Sequence, residues 1–199
     1  MNTPSHAIIN LAILGRKSHS EWNWPIVLGA LIPDLAMFVF YGWARLIAGM
    51  SETQIWDVVY YESFWQNTFD LWNSIPLALV GVGLGVGLGR QKKLRSMGAA
   101  ITICCASILL HCLEDLPLHR EDAHRHFWPL SNVRFKSPVS YWDPNHYGHI
   151  FVLFEVGLVL ALSVYVFRLI RSWWGKGLLI LANTFMLVAW SLFYWGSYH

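Results

Sequence analysis

The sequence predicts an all-α fold: a polytopic membrane helix bundle of about five transmembrane helices, with a short N-terminal helix and a histidine-rich loop. Three observations predict it. Charged residues make up 13% of the 199-residue chain and hydrophobic residues 55%, against about 25% charged in soluble domains. Apolar stretches recur at lengths near the roughly 20 helical residues that cross a bilayer. Trp22, Trp24, Trp43, Trp72, Trp173, Trp174 and Trp195 fall near the ends of those stretches, where interfacial aromatic side chains collect.

Taken in order, residues 4–15 form an apolar piece too short to span, read as a half-helix packed into the bundle or as an interfacial segment. The expected spans are 24–46, 71–89, 97–116, 149–170 and 177–196, within a single integral-membrane domain covering 1–199. Gly81, Gly83, Gly85, Gly87 and Gly89 alternate through the second span. They read as small-residue helix packing and lack the context of a nucleotide-binding loop. Cys104, Cys105 and Cys112 are the three cysteines, all in or beside the third span and without a CxxC pair, so they read as small buried hydrophobes. In the opening MNTPSHAIINLAILGRK the charges follow the apolar stretch. That is not the order of a signal peptide, so His6 is expected in the mature protein. A net charge of +2 and the lack of a Lys/Arg stripe interleaved with aromatics argue against nucleic-acid binding.

Orientation follows from Lys and Arg placement. Arg16 and Lys17 precede the first span, Arg90, Lys92, Lys93 and Arg95 lie between the second and third, and Arg168, Arg171 and Lys176 between the fourth and fifth. These segments belong on the cytoplasmic side. The opposite, external face (periplasmic in a bacterial inner, or plasma, membrane) receives 47–70, which holds no Lys or Arg, and the loop 117–148.

The chemistry concentrates in LLHCLEDLPLHREDAHRHFWPLS, residues 109–131. His111 and Asp115 are four apart in a helix and share a face, so one imidazole and one carboxylate can meet one metal ion. Ionisable groups at membrane depth are costly and face a partner or a cavity. Glu114 lies on a neighbouring face, placed to act as a base or to support the ligands. Pro117 disfavours helix at Leu116, and His119, Asp122, His124 and His126 follow, with Asp143, His146 and His149 closing the loop. In the first span, GALIPDLAMF sets Asp34 beside Pro33. Proline removes a backbone donor there and frees the Gly29 carbonyl, making a kink that carries an acid. Glu155 poses the same question in the fourth span, between structural pairing and support of a site.

Three patches, TPSH at the N-terminus, GALIPD in the first span and HCLED…FWPLS at and after the third, together resemble the bacterial integral-membrane proteins described as membrane-bound metal-dependent hydrolases. The resemblance touches residues 3–34 and 71–131. It implies His6, Asp34, His111 and Asp115 as the polar set, and a turn shaped by Trp128, Pro129 and Ser131. One departure matters: that family tends to His-Ser before the second apolar run, where this chain has Asn73-Ser74. His119, His124 or His126 then stands in for the missing imidazole, or the site has fewer nitrogens. His6 can join only if its short helix begins deep in the bundle and runs toward Arg16; twelve helical residues reach about 18 Å.

The expected function is a membrane-embedded metal-dependent hydrolase. The metal set is His6, Asp34, His111, Asp115, His119 and His126, with Glu114 or Asp122 as general base. Arg125 and Arg134 are expected to hold an anionic group of a lipid-like ester or phosphoester. The mixed donor set suits zinc, with Mn²⁺ or Fe²⁺ as alternatives. The rival expectations are a structural or interaction subunit of a membrane assembly and a metal or proton transport protein. Haem ligation between spans is a minor one that an optical spectrum would test.

Overall fold

The computed structural model describes the backbone of residues 1–196 and the side chains through Ser191. Among the described residues every regular element is helical: α1 (Thr3–Leu14), α2 (Asn23–Gly42), α3 (Glu52–Asp57), α4 (Ser63–Trp72), α5 (Ile75–Gly89), α6 (Arg95–Asp115), α7 (Gly148–Leu169) and α8 (Trp173–Gly196). Short 3₁₀ and π turns join several of them.

Three helical stretches are long and apolar enough to cross a membrane, Lys17–Ile47, Lys92–Asp115 and Gly148–Leu169. This is fewer than the five expected. The expected span 71–89 is broken: α4 and α5 meet at a 42° bend, and only as a pair do they make a fourth candidate. Alone, the 15 residues of α5 extend about 22 Å, short of a hydrocarbon core of about 30 Å. The break is local in origin. Ser74 caps α5 by accepting from the Leu77 N–H at 3.2 Å, and a proline occupies its first turn; both are helix-start signals. The expected fifth span falls in α8, whose side chains from 192 on, Trp195 among them, lie outside the described residues.

The pairings between helices fix their directions. Asn2 meets Glu155, and Gly15 lies against Leu169, so α1 runs parallel to α7. Ser107 donates to the Ile26 carbonyl and His111 meets the Ala30 carbonyl, so α2 runs parallel to α6. Asn10 reaches Ser107 while Met1 reaches Asp115, so α1 is antiparallel to α6. The N-terminal piece is therefore a half-helix inside the bundle, starting near the C-terminal end of α6 and running away from it. Arg16, Arg95 and Arg168 gather at the opposite end of the bundle.

Close approach of backbones sets the helix spacing. A Cβ at Gly29 would stand 2.2 Å from the Cys104 carbonyl oxygen, so only glycine lets α2 lie this near α6. In α5, Gly81 and Gly85 face α6 in the same way, while Gly83, Gly87 and Gly89 have open space beside them. Two of the five glycines in the run thus serve packing against α6.

One apolar cluster gathers Ile8, Leu11, Ile26, Val159 and Val166 between α1, α2 and α7. A second, aromatic one sets Phe40, Tyr60 and Phe69 beneath Trp65. Outward lie Leu35, Phe38, Leu84, Leu153, Phe154, Leu181 and Phe185. Such an apolar exterior suits membrane association and costs free energy in water, roughly 25 cal/mol per Å².

The loop after α6 folds back on its own start. Ser137 N–H donates to the His119 carbonyl at 3.0 Å, and Tyr141 N–H to the Leu118 carbonyl at 3.0 Å. Ile75 N–H donates to the His126 carbonyl at 2.9 Å, and Ser74 Oγ to the Trp128 carbonyl. The Trp128–Pro129 peptide is cis, and Ser131 Oγ accepts from the Val133 N–H. The His-rich loop is thereby seated over α5 and α6.

Candidate metal centre

The directions above bring one polar layer together from four elements. α1 carries His6, α2 carries Asp34, α6 carries His111, Glu114 and Asp115, and the loop carries His119, Asp122 and His126. His6 and His111 are fully buried and stacked, with ring centroids 3.7 Å apart. Asp115, 2% exposed, lies among the imidazoles. Its Oδ1 is 3.1 Å from His6 Nε2, and its Oδ2 is 3.2 Å from His111 Nε2 and 3.4 Å from His119 Nε2. Asp34 Oδ1 stands 3.7 Å from His111 Nε2. Ligand atoms of His6, Asp34 and His111 all lie within 4.8 Å of one another.

Each imidazole is held from behind by an oxygen. His111 Nδ1 lies 2.8 Å from the Ala30 carbonyl and His126 Nδ1 3.1 Å from the Asn73 carbonyl. Carbonyl oxygens only accept, so both nitrogens carry hydrogen. His6 Nδ1 lies 2.6 Å from Glu114 Oε2 and His119 Nδ1 2.8 Å from Asp122 Oδ2. In all four residues Nε2 is buried without a hydrogen-bond partner. A buried polar atom left so costs about 1–3 kcal/mol. An imidazole fixed through Nδ1–H with Nε2 turned inward is the arrangement that presents a lone pair to a metal. The residues therefore fit a divalent cation: soft enough nitrogen, hard carboxylate oxygen, and inward nitrogens that make no hydrogen bond although Asp115 oxygens stand 3.1–3.4 Å from three of them.

The loop members of the layer titrate abnormally. Burial alone would lower the His119 imidazole, but Asp115 and Asp122 outweigh it and raise it to about 9. Burial would raise Asp122, but its bond to His119 overrides that and holds the carboxyl at about 2. His124 is pushed well below the ordinary imidazole range by burial and by His119 and His126. His126 is lowered, chiefly by burial.

These positions change two expected roles. Glu114 or Asp122 was expected as the general base, with support of the ligands as the other reading of Glu114, and each carboxylate is committed to an imidazole Nδ1. Asp122 also accepts from Trp142 Nε1 at 3.2 Å. A carboxylate at about 2 is moreover a poor proton acceptor at neutral pH. Both orient histidines. Arg125 and Arg134, expected to hold a substrate anion, instead pair with the fully buried Asp70 of α4 at 2.5 and 3.0 Å. Their charge is spent on clamping the loop to α4. His146 pairs with Asp143 at 2.6 Å, apart from the layer, and His149 opens α7.

Several supporting residues had no role in the sequence reading. Thr3 Oγ1 donates to Asp34 Oδ2 at 2.6 Å, and the Met1 nitrogen to Asp115 Oδ1 at 2.8 Å. Asn2 gives both its backbone and side-chain N–H to Glu155, which assigns that buried acid to structural pairing. The signal for Thr3 was its place in TPSH; nothing in the sequence pointed to Asn2.

A cavity of about 480 Å³ reaches this layer. Asp34, Asn73, His119, Asp122, His124 and Tyr141 form its polar wall, and Met37, Phe38, Phe69 and Phe185 its apolar wall. Comparison with protein-family models, with curated proteins and with solved structures found no match to the chain.

Proposed function

We propose that the chain is a membrane-embedded metal-dependent hydrolase that cleaves an ester or phosphoester of a lipid-like substrate. The observation that carries this reading is the set of buried Nε2 atoms turned toward Asp115, each on an imidazole locked through Nδ1. His6, His111, Asp115 and Asp34 would hold the ion, with His119 and His126 next to them. Zinc suits this mixed donor set, with Mn²⁺ or Fe²⁺ as alternatives. When bound, such an ion makes water nucleophilic near neutral pH and polarises a carbonyl or phosphoryl oxygen.

The chain's own residues do the rest. Glu114 and Asp122 keep the proton on Nδ1 of His6 and His119. Thr3 holds Asp34 where the cavity meets the imidazoles, so a reacting group entering the cavity arrives beside the centre. The polar wall suits a head group and the apolar wall an acyl or prenyl portion, which is the support for an amphiphilic substrate. The resemblance of TPSH, GALIPD and HCLED…FWPLS to membrane-bound metal-dependent hydrolases supports the same reading. The Lys/Arg asymmetry supports placing the His-rich loop on the external face, which is periplasmic in the bacterial inner membrane that the resemblance implies.

The test is hydrolysis of short-chain p-nitrophenyl esters and phosphoesters by protein in detergent, before and after chelation and with Zn²⁺ or Mn²⁺ restored. Chelation should abolish turnover, metal should restore it, and His111→Ala and Asp115→Ala should not respond. Turnover unaffected by chelation, or equal in these variants, would remove the reading. Metal flux into proteoliposomes without ester turnover would favour the transport alternative.

A further inference from the structure

The layer holds more inward donors than one ion takes. A zinc ion is satisfied by four ligands, or by three and an open position. Here His6, Asp34, His111, Asp115, His119 and His126 all belong to the layer, and the Asn73 Oδ1 on the cavity wall is also buried without a partner. The donors fall into two groups about Asp115. His6, Asp34 and His111 form a compact trio whose ligand atoms stand within 4.8 Å of each other, and the trio closes without His119. His119 meets Asp115 from the loop side at Oδ2, 3.4 Å away, while Oδ1 faces His6 at 3.1 Å. The Asp115 carboxylate thus stands between the trio and His119: Oδ2 lies 3.2 Å from His111 and 3.4 Å from His119, and Oδ1 lies 3.1 Å from His6 while accepting from the Met1 nitrogen at 2.8 Å, the place of a bridging ligand.

Charge points the same way. Asp34, Glu114, Asp115 and Asp122 bring four carboxylates to the layer; among the described residues no Lys or Arg forms an ion pair with any of them, and the ammonium that does is that of Met1, 2.8 Å from Asp115 Oδ1. With the Met1 ammonium counted, one divalent cation would still leave these carboxylates in excess of the positive charge beside them. It would also leave buried nitrogens of the loop histidines without a partner.

We propose that the centre holds two divalent cations that share Asp115, one at His6, Asp34 and His111, the other on the loop side at His119 with His126 as its further nitrogen donor. This rests on the reading of the layer as a metal centre and goes beyond it in stoichiometry and in dividing the ligands. Paired ions of this kind clamp both the attacking and the leaving oxygen of a phosphoester or ester, which the cavity's contact with His119 and Asp34 together would serve.

The test counts ions. Protein in detergent is stripped, loaded with Mn²⁺, desalted and analysed for manganese per chain, and its electron paramagnetic resonance spectrum is recorded. The expected result is about two ions per chain with an exchange-coupled spectrum, as sites sharing a carboxylate give. His119→Ala should fall to about one ion with the six-line spectrum of an isolated Mn²⁺. One ion in the wild type, unchanged in His119→Ala, overturns the two-ion proposal and leaves the metal centre standing. No ion in the wild type overturns both. Two ions retained in His119→Ala overturn the assignment of the second position. The wild-type count decides even if the variant does not fold.

Discussion

Replacing Glu114 by Gln separates two roles that a buried carboxylate beside a histidine can have. Glu114 Oε2 lies 2.6 Å from His6 Nδ1, a short contact typical of a charge-assisted hydrogen bond, about twice as strong as a neutral one. Glutamine keeps the size and an acceptor oxygen but removes the charge that makes His6 a stronger donor to metal. Carboxylates that orient metal-binding histidines are worth about 10- to 100-fold in metal affinity, which is about 1.4–2.7 kcal/mol. Titration of Zn²⁺ against a competing chelator dye, in detergent, should therefore show Kd for Glu114→Gln raised within that range. Turnover at saturating Zn²⁺ should stay within a few-fold of wild type. The opposite pattern, Kd unchanged and turnover down by about 10²–10⁴ as for loss of a general base, would refute the orienting role.

Other perturbations probe the scaffold and the protons. Asp70→Asn leaves Arg125 and Arg134 without their buried partner; loss of one member of a buried pair costs about 3–5 kcal/mol, and the lower end applies because both guanidiniums reach solvent. Limited proteolysis should then cut within 117–147, and an uncut loop would contradict the clamp. Gly29→Ala drives a Cβ into the Cys104 carbonyl and forces α2 from α6, whereas Gly98→Ala meets Gly89 and Gly85 far from Asp34. Each should cost about 1–3 kcal/mol, read as a lowered Tm, but only Gly29→Ala should weaken metal binding; equal metal affinity in both would sink the link between helix spacing and the centre. Metal competes with protons for the imidazoles, and His119 is raised to about 9, so its proton must leave at neutral pH. Mn²⁺ affinity should climb about tenfold per unit between pH 7 and 9 and level above; a flat profile over that range would contradict it.

How much of this was legible in the sequence differs residue by residue. His111 and Asp115 declared themselves, because four residues in a helix put them on one face and depth makes them costly alone. Asp34 did so through Pro33. His6 was reachable only through the resemblance and the length of the short helix, since nothing local says where α1 sits. What the sequence could not show was direction. Glu114 stayed open between base and support of a ligand, and Asp122 looked like a free base, because spacing does not reveal which imidazole nitrogen a carboxylate touches. Arg125 and Arg134 looked available because Asp70, their partner, lies more than fifty residues away. The broken span was readable: Ser74 and Pro76 spell a helix start, and Trp65, Phe69 and Trp72 recur at helical spacing. The continuous hydropathy of 71–89 masked both signals.

The most direct measurement is the divalent metal content of protein purified in detergent without added metal, compared with His111→Ala of the same helicity by circular dichroism. Zinc, or another divalent transition metal, should be bound in the wild type and lost or sharply reduced in His111→Ala. A wild-type protein free of metal that also fails to take it up, or a variant that retains the full content, would contradict it.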